Sequence, residues 1–169
     1  MNTQNDNLAV AFSEFIEKHD IQVPVIQRDY VQGQALTSQE KEKRDDFAKK
    51  LMDALLPDDV PCHLDFVYGG RESFGSGETM PKDTPFLPLD GQQRLTTLFL
   101  LHWALLQKNA PEASEETEAG KETFKKRLEA LAKFTYKTRI SSGRFCRKLT
   151  ELQTDPNRSL SEQIKEKYW

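Results

Sequence analysis

Residues 90 to 94 read Asp-Gly-Gln-Gln-Arg and stand between "PFLPL" and "LTTLFLLHWALL", two stretches apolar enough to be buried. Chemistry is one reason for so polar a group in that place. Gly91 allows a tight or left-handed turn without a Cβ penalty. A helix opening just after it would present backbone N–H groups at its positive end, a ready site for an anion. Arg94 falls in the first turn, where a guanidinium can take phosphate oxygens two at a time. Gln92 and Gln93 add neutral donors and acceptors. Asp90 is a carboxylate beside the same turn, suited to Mg²⁺ carried on phosphates or to orienting a water. These are the parts of a nucleotide-phosphate pocket, although the GxxxxGK[ST] pattern is absent. The same residues serve equally as a helix cap with Arg94 paired to Asp90, and the two readings stay open on the residues alone.

Two further clusters bear on that pocket. Gln27-Arg28-Asp29-Tyr30 ends a first strand, and Arg28 reaches the same ligand if the two strands are neighbours. Taken alone it is an ordinary solvated strand end. Gly69-Gly70-Arg71 offers backbone that a ligand can approach, or simply a turn. The remaining reactive side chains are scattered. His102 sits in an apolar helix as a satisfied core residue. Cys146 lies near Arg144 and Arg147, which would favour its thiolate, but an inert half-buried thiol is the default. "KKR" at 125 to 127 and "FCRK" at 145 to 148 are expected to be solvated helix faces.

The elements that must hold these residues follow from periodicity. A first helix covers "NDNLAVAFSEFIEKHD", capped at Asn5, Asp6 or Asn7. Ile21, Val23 and Val25 alternate as a strand, which Pro24 confines to a sheet edge or makes irregular. Thr37 and Glu40 have capping-box spacing ahead of a surface helix that Pro57 stops. Its apolar stripe is Phe47, Leu51 and Leu55. "HLDFVYGGRESF" is expected as a strand ending in a Gly-Gly turn, "GSGETMPKDT" as a polar loop and "PFLPLDG" as a short strand. "QQRLTTLFLLHWALLQK" is a helix apolar on nearly every side, hence central. After an acidic linker, "NAPEASEETEAG", come a helix over "KETFKKRLEALAKF", strand-like "FTYKTRI", and a helix over "SSGRFCRKLTEL". A turn over "TDPNRS" leads to a last helix, "LSEQIKEKYW", which reaches the final residue and is expected to continue in a longer chain. Short strands mixed among more helix, without regular βαβ alternation, indicate an α+β fold.

The totals set outer limits. The chain has 169 residues, enough for one domain with a core and a small appendage. Charged residues make up 30% and apolar ones 37%, as in a rather polar globular protein. A net charge of -3 excludes a global basic field for nucleic acid, though not a local basic groove. Cys62 and Cys146 have neither metal-ligand spacing nor disulfide density, which fits a reducing cytoplasm. No signal peptide is visible, and the apolar run Leu98 to Leu106 falls far short of the ~20 residues of a membrane span.

"VPVIQRDYVQG", "FVYGG", "PLDGQQRLTTLFLLHWAL" and "FTYKTRISSGRFCRKL", in that order, resemble the N-terminal domain of GmrSD-type (type IV) restriction endonucleases. The resemblance runs from about Ile21 to about Leu152. It implies a ParB/sulfiredoxin-like fold in which the DGQQR turn sets a helix N-terminus on a nucleotide. It implies an NTP-binding and NTP-hydrolysing module, with Mg²⁺, that regulates a DNA nuclease of phage defence. On that footing Asp90 and Arg94 would be catalytic, and Asp90 would also hold the metal. Gln27, Arg28, Tyr30, Gly69, Gly70, Gly91, Gln92, Gln93 and Thr97 would line the nucleotide site, with Thr96 beside Thr97 in the family pattern. Residues 1–152 would form this domain, and residues 153–169 would begin a following helical region. No His-Asn-His-like nuclease motif lies in these residues, so the chain by itself is not expected to cut DNA. Any action on DNA would pass through a nuclease domain or subunit outside it, and no membrane partner is expected. The alternative is a non-enzymatic, ParB-like module that binds DNA or a partner subunit, with the DGQQR turn purely structural. A sulfiredoxin-like redox enzyme is discounted, because the turn carries no cysteine.

Overall fold

The structure is a computed structural model. It describes residues 10–24, 37–53, 67–71, 84–110, 117–137, 140–155 and 157–168. Among these residues the elements run α1 (Phe12–Lys18), β1 (Ile21–Val23), α2 (Ser38–Asp53), β2 (Gly69–Arg71), β3 (Phe86–Pro88), α3 (Gln92–Lys108), α4 (Glu118–Leu131), β4 (Phe134–Tyr136), α5 (Ile140–Glu151) and α6 (Leu160–Tyr168). The fold is α+β, as the mixture of patterns implies.

The sheet has four short strands in the order β2-β3-β1-β4. β1 runs parallel to β3, with Ile21 opposite Phe86, and parallel to β4, with Val23 opposite Tyr136. β2 is antiparallel to β3 and pairs Gly69 with Pro88. β1 is therefore an interior strand, which rules out the edge position, one of the two outcomes expected from Pro24. The strand stops at Val23, so the missing N–H of Pro24 falls one residue past the last rung and costs no ladder bond. The Gly-Gly pair is likewise not a turn: Gly69 and Gly70 are themselves β2.

α3 is the centre of the molecule. Leu95, Phe99 and Trp103 follow each other at four-residue spacing, and Leu106 completes the buried stripe. Phe99 stacks on Phe134 of β4 with centroids 5.0 Å apart, and Trp103 Nε1 donates to the Leu149 carbonyl of α5 at 2.7 Å. Each such side chain, fully buried, contributes about 1.5–3 kcal/mol of transfer free energy. Phe12 and Ile16 of α1, Ile21 and Val23 of β1, Leu131 of α4 and Leu149 of α5 close the same core. Leu160, Ile164 and Tyr168 of α6 pack onto it, and the Tyr168 hydroxyl donates to the Lys148 carbonyl at 2.9 Å.

Helix boundaries depart from expectation where packing or a stronger cap decides. α1 starts at Phe12, after an extended Ala11 at φ -64°, ψ 142°, and not after a cap at Asn5 to Asn7, which lie outside the described residues. Seven residues suffice there because Phe12 and Ile16 are buried. α4 starts at Glu118, ahead of the expected Lys121, because the Thr117 hydroxyl accepts from Gly120 N at 3.3 Å and Glu118 favours the positive helix end. The capping box of α2 forms as its spacing implies. Glu40 N donates to Thr37 Oγ1 at 3.2 Å, and Thr37 N donates back to the Glu40 carboxylate at 2.9 Å. Leu51 of that helix is buried, Phe47 is half-buried, and Leu55 and Pro57 lie outside the described residues.

Candidate functional site

Because β1, β3 and β4 are parallel, all three deliver their C-terminal ends to one edge of the sheet. Ligands of α/β sheets gather at such edges, where loops and helix N-termini converge. β1 ends there at Val23. Gln27, Arg28 and Tyr30 themselves lie outside the described residues, but β1 and β3 are direct neighbours, which is the arrangement their participation requires. β3 exits there into Asp90-Gly91, and β4 into Lys137 and α5.

The Asp90-Gly91 turn is built by its neighbours. The amides of Leu89 and Asp90 both donate to the Tyr68 carbonyl, at 2.8 and 2.9 Å. Gly91 then takes φ 79°, ψ 9°, the left-handed region, and is the N-cap of α3. A Cβ there would stand 2.9 Å from Val67 Cγ2, so space as well as torsion calls for glycine. Leu95 N donates to Gly91 O at 2.9 Å and closes the first turn of the helix. Gly91 has no side chain with which to cap that turn.

The polar side chains divide into those that hold the turn and those that face outward. Gln92 Nε2 donates to the Pro88 carbonyl at 2.7 Å and to the Leu89 carbonyl at 3.4 Å, tying the helix start to the strand exit. Thr97 Oγ1 donates to Gln93 O at 3.0 Å, along the helix. Arg94 Nη2 meets Asp90 Oδ2 at 3.3 Å, with the Arg94 side chain 22% and the Asp90 side chain 67% exposed. Asp90, Gly91, Gln92, Gln93, Arg94 and Thr97 thus form one compact turn, with a carboxylate on its outer side and a half-buried guanidinium beside it. Gly69 lies across from Pro88 at the same end of the sheet. A Cβ on it would stand 2.4 Å from the Leu87 carbonyl oxygen, so its missing side chain is taken up by strand packing. Gly70 has open space where a Cβ would be. Arg71 falls at the opposite end of β2, opposite Phe86, where its guanidinium donates to His19 Nδ1 at 2.8 Å.

Two residues at this edge, Tyr136 and Lys137, escaped the sequence reading. Thr96, buried in the first turns of α3, donates from Oγ1 to Gln92 O at 2.8 Å and meets the Tyr136 hydroxyl at 2.8 Å. A tyrosine closing a strand-like segment beside a lysine was the available signal, but only the strand pairing brings it to α3. Lys137 follows it, exposed, at the end of β4.

The other reactive side chains behave as ordinary structure. His102 Nδ1 donates to Leu98 O at 2.8 Å and its ring lies 4.9 Å from Phe12. Burial pushes the Cys146 thiol up to about 12, so the nearby arginines do not make it a thiolate. Lys125 and Lys126 pair along α4 with Glu129 and Glu122. A cavity of about 730 Å³ opens between α1, α3 and α4. It is lined mainly by Ile16, Leu105, Leu106, Phe124 and Leu131, and it includes none of the residues of the DGQQR turn.

The chain is thus an α+β domain whose parallel strands direct a glycine-capped, arginine-bearing helix start to one edge. It belongs to the GmrSD restriction endonuclease N-terminal domain family, whose profile matches residues 12–169. That membership makes it part of a restriction endonuclease system. Neither the curated proteins nor the solved structures yield a match. Among the described residues, no helix is long and apolar enough to cross a membrane.

Proposed function

We propose that the domain binds a nucleoside triphosphate at the DGQQR turn and hydrolyses it to regulate a restriction nuclease directed at phage DNA. One observation carries this reading. The positive end of α3 opens at a left-handed glycine, with an exposed Asp90 carboxylate and the half-buried Arg94 guanidinium on the same turn. Phosphate oxygens would lie against the first-turn amides, where the helix dipole favours negative charge.

The Asp90–Arg94 pair does not bar this. At 3.3 Å it is longer than a strong charge-assisted bond, and an i,i+4 pair with one exposed partner is worth about 0.3–0.5 kcal/mol. A hydrogen bond from a guanidinium to a charged phosphate is worth about 1.5–3 kcal/mol, so a ligand displaces the carboxylate. Asp90 is then released to orient the attacking water. Its single exposed carboxylate fits Mg²⁺ held chiefly by phosphate oxygens and water, the usual mode for that ion. When bound, Mg²⁺ would neutralise charge on the phosphates. Arg28, from the neighbouring strand exit, would add a second cation.

The test is phosphate release by the chain with each NTP and Mg²⁺. Asp90→Ala is expected to lower turnover about 100-fold. Arg94→Ala is expected to weaken binding about tenfold or more. Equal phosphate release from wild type and Asp90→Ala removes Asp90 from the mechanism. The Asp90–Arg94 pair also favours a second reading, a non-enzymatic ParB-like module for DNA or a partner subunit, with the turn serving structure only. Thermal shifts separate the two: a shift with duplex DNA and none with any nucleotide selects the second.

A further inference from the structure

We infer that Tyr136 is a positioning residue, holding the opening turn of α3 in register with the exits of β1 and β4. Its use for a ligand rests on the phosphate reading, but its geometry does not. Thr96 has one hydroxyl proton. The Gln92 carbonyl only accepts, so that proton goes to Gln92 O at 2.8 Å. The 2.8 Å contact between Thr96 Oγ1 and the Tyr136 hydroxyl is therefore donated by the tyrosine. The resulting chain runs Tyr136 Oη–H to Thr96 Oγ1–H to Gln92 O. It ends on the first residue of the helix, whose side chain already grips Pro88 O.

Tyr136 is a fixed post from which to make that bond. Its backbone pairs with Val23, and the next amide, Lys137 N, donates to Val23 O at 2.8 Å. On its other side α5 packs close, since a Cβ on Gly143 would stand 3.6 Å from the Tyr136 carbonyl oxygen. Its ring lies edge-on to Phe134, 5.7 Å between centroids. A shift of the α3 opening turn relative to the β1 exit would have to break this chain. Tyr136 thus couples the DGQQR turn to the strand that leads into the Gln27–Tyr30 segment.

The experiment compares wild type with Tyr136→Phe, Thr96→Val and Thr96→Ser by residue-resolved amide exchange and by calorimetric titration with inorganic triphosphate and Mg²⁺. Tyr136→Phe keeps the ring packing and removes only the hydroxyl. The Leu95 and Thr96 amides should lose about fivefold protection in Tyr136→Phe and Thr96→Val, while Phe99 and Trp103, deeper in α3, stay unchanged. Thr96→Ser should retain protection, and the Tyr136→Phe/Thr96→Val double variant should be no worse than either single one. Triphosphate affinity should fall about fivefold in the same variants. Unchanged protection at Leu95 and Thr96, or a uniform loss along all of α3, overturns the positioning role. A wild-type chain that takes no triphosphate overturns the phosphate reading instead, while the exchange pattern still decides the role of Tyr136.

Discussion

At Gly91 a single torsion decides what the neighbouring side chains can do. With φ at 79°, an alanine there would pay about 1–2 kcal/mol for its Cβ in the left-handed region. It would also press on Val67, 2.9 Å away. Gly91→Ala is therefore expected to lower unfolding free energy by at least about 1–2 kcal/mol in urea titration. Gly70→Ala, where nothing stands within 4 Å, should change it little. The comparison separates a glycine required by conformation from one that is merely present. It also shows why Asp90 and Arg94 meet: the left-handed Gly91 ends a three-residue link, Leu89 to Gly91, that carries the chain from β3 to α3.

Among the elements, α2 and α3 are stabilised in different ways. α3 is held by burial, with Leu95, Phe99 and Trp103 in the core, and would survive the loss of any one surface contact. α2 buries only Leu51 among its described residues and leans on its capping box. Thr37→Ala should therefore cost about 1 kcal/mol, read as reduced amide protection confined to the first turns of α2. Thr37→Ser should restore it. Among the described residues, the helix that opens at the DGQQR turn is thus anchored by its buried side chains, and α2 chiefly by its cap.

For the molecule as a whole, the pH response of stability offers a test at the end of the sheet away from the turn. Burial first, then the charges of Arg71, Lys18 and Lys133, hold the His19 imidazole below its ordinary value of 6.5. The unfolded chain takes up that proton more readily than the folded one. The contribution is thus complete above about pH 6.5 and is lost as pH falls below it. Urea midpoints should decline from pH 7 toward pH 5, and His19→Gln should flatten that decline. An equal decline in the variant would assign it to other groups. NMR titration of His19 should give a midpoint below 6.5, rising in Arg71→Ala, which removes the guanidinium that donates to Nδ1.

How much of this was legible follows from the range of the interactions involved. Local signals were sufficient for α3, whose bounds follow from Gly91 and an unbroken apolar period, and for the Thr37–Glu40 box, whose partners are three residues apart. The DGQQR turn was legible for the same reason, since its glycine, carboxylate and guanidinium are contiguous. Strand order was not. Nothing within "IQVPV" says that it lies between "FLP" and "FTY", and Pro24 argued against an interior place until the strand proved to end before it. Nor do Gly69 and Gly70 announce a strand, because what fits them is the close approach of β3. Residue types and spacing by themselves determined an α+β domain with a polar, glycine-led helix start, because those depend on contacts within a turn or two of chain. Tertiary structure alone decided that β1, β3 and β4 open at a common edge and that Tyr136 reaches Thr96 forty residues away, because hydrogen bonds between distant segments exist only once the sheet has assembled.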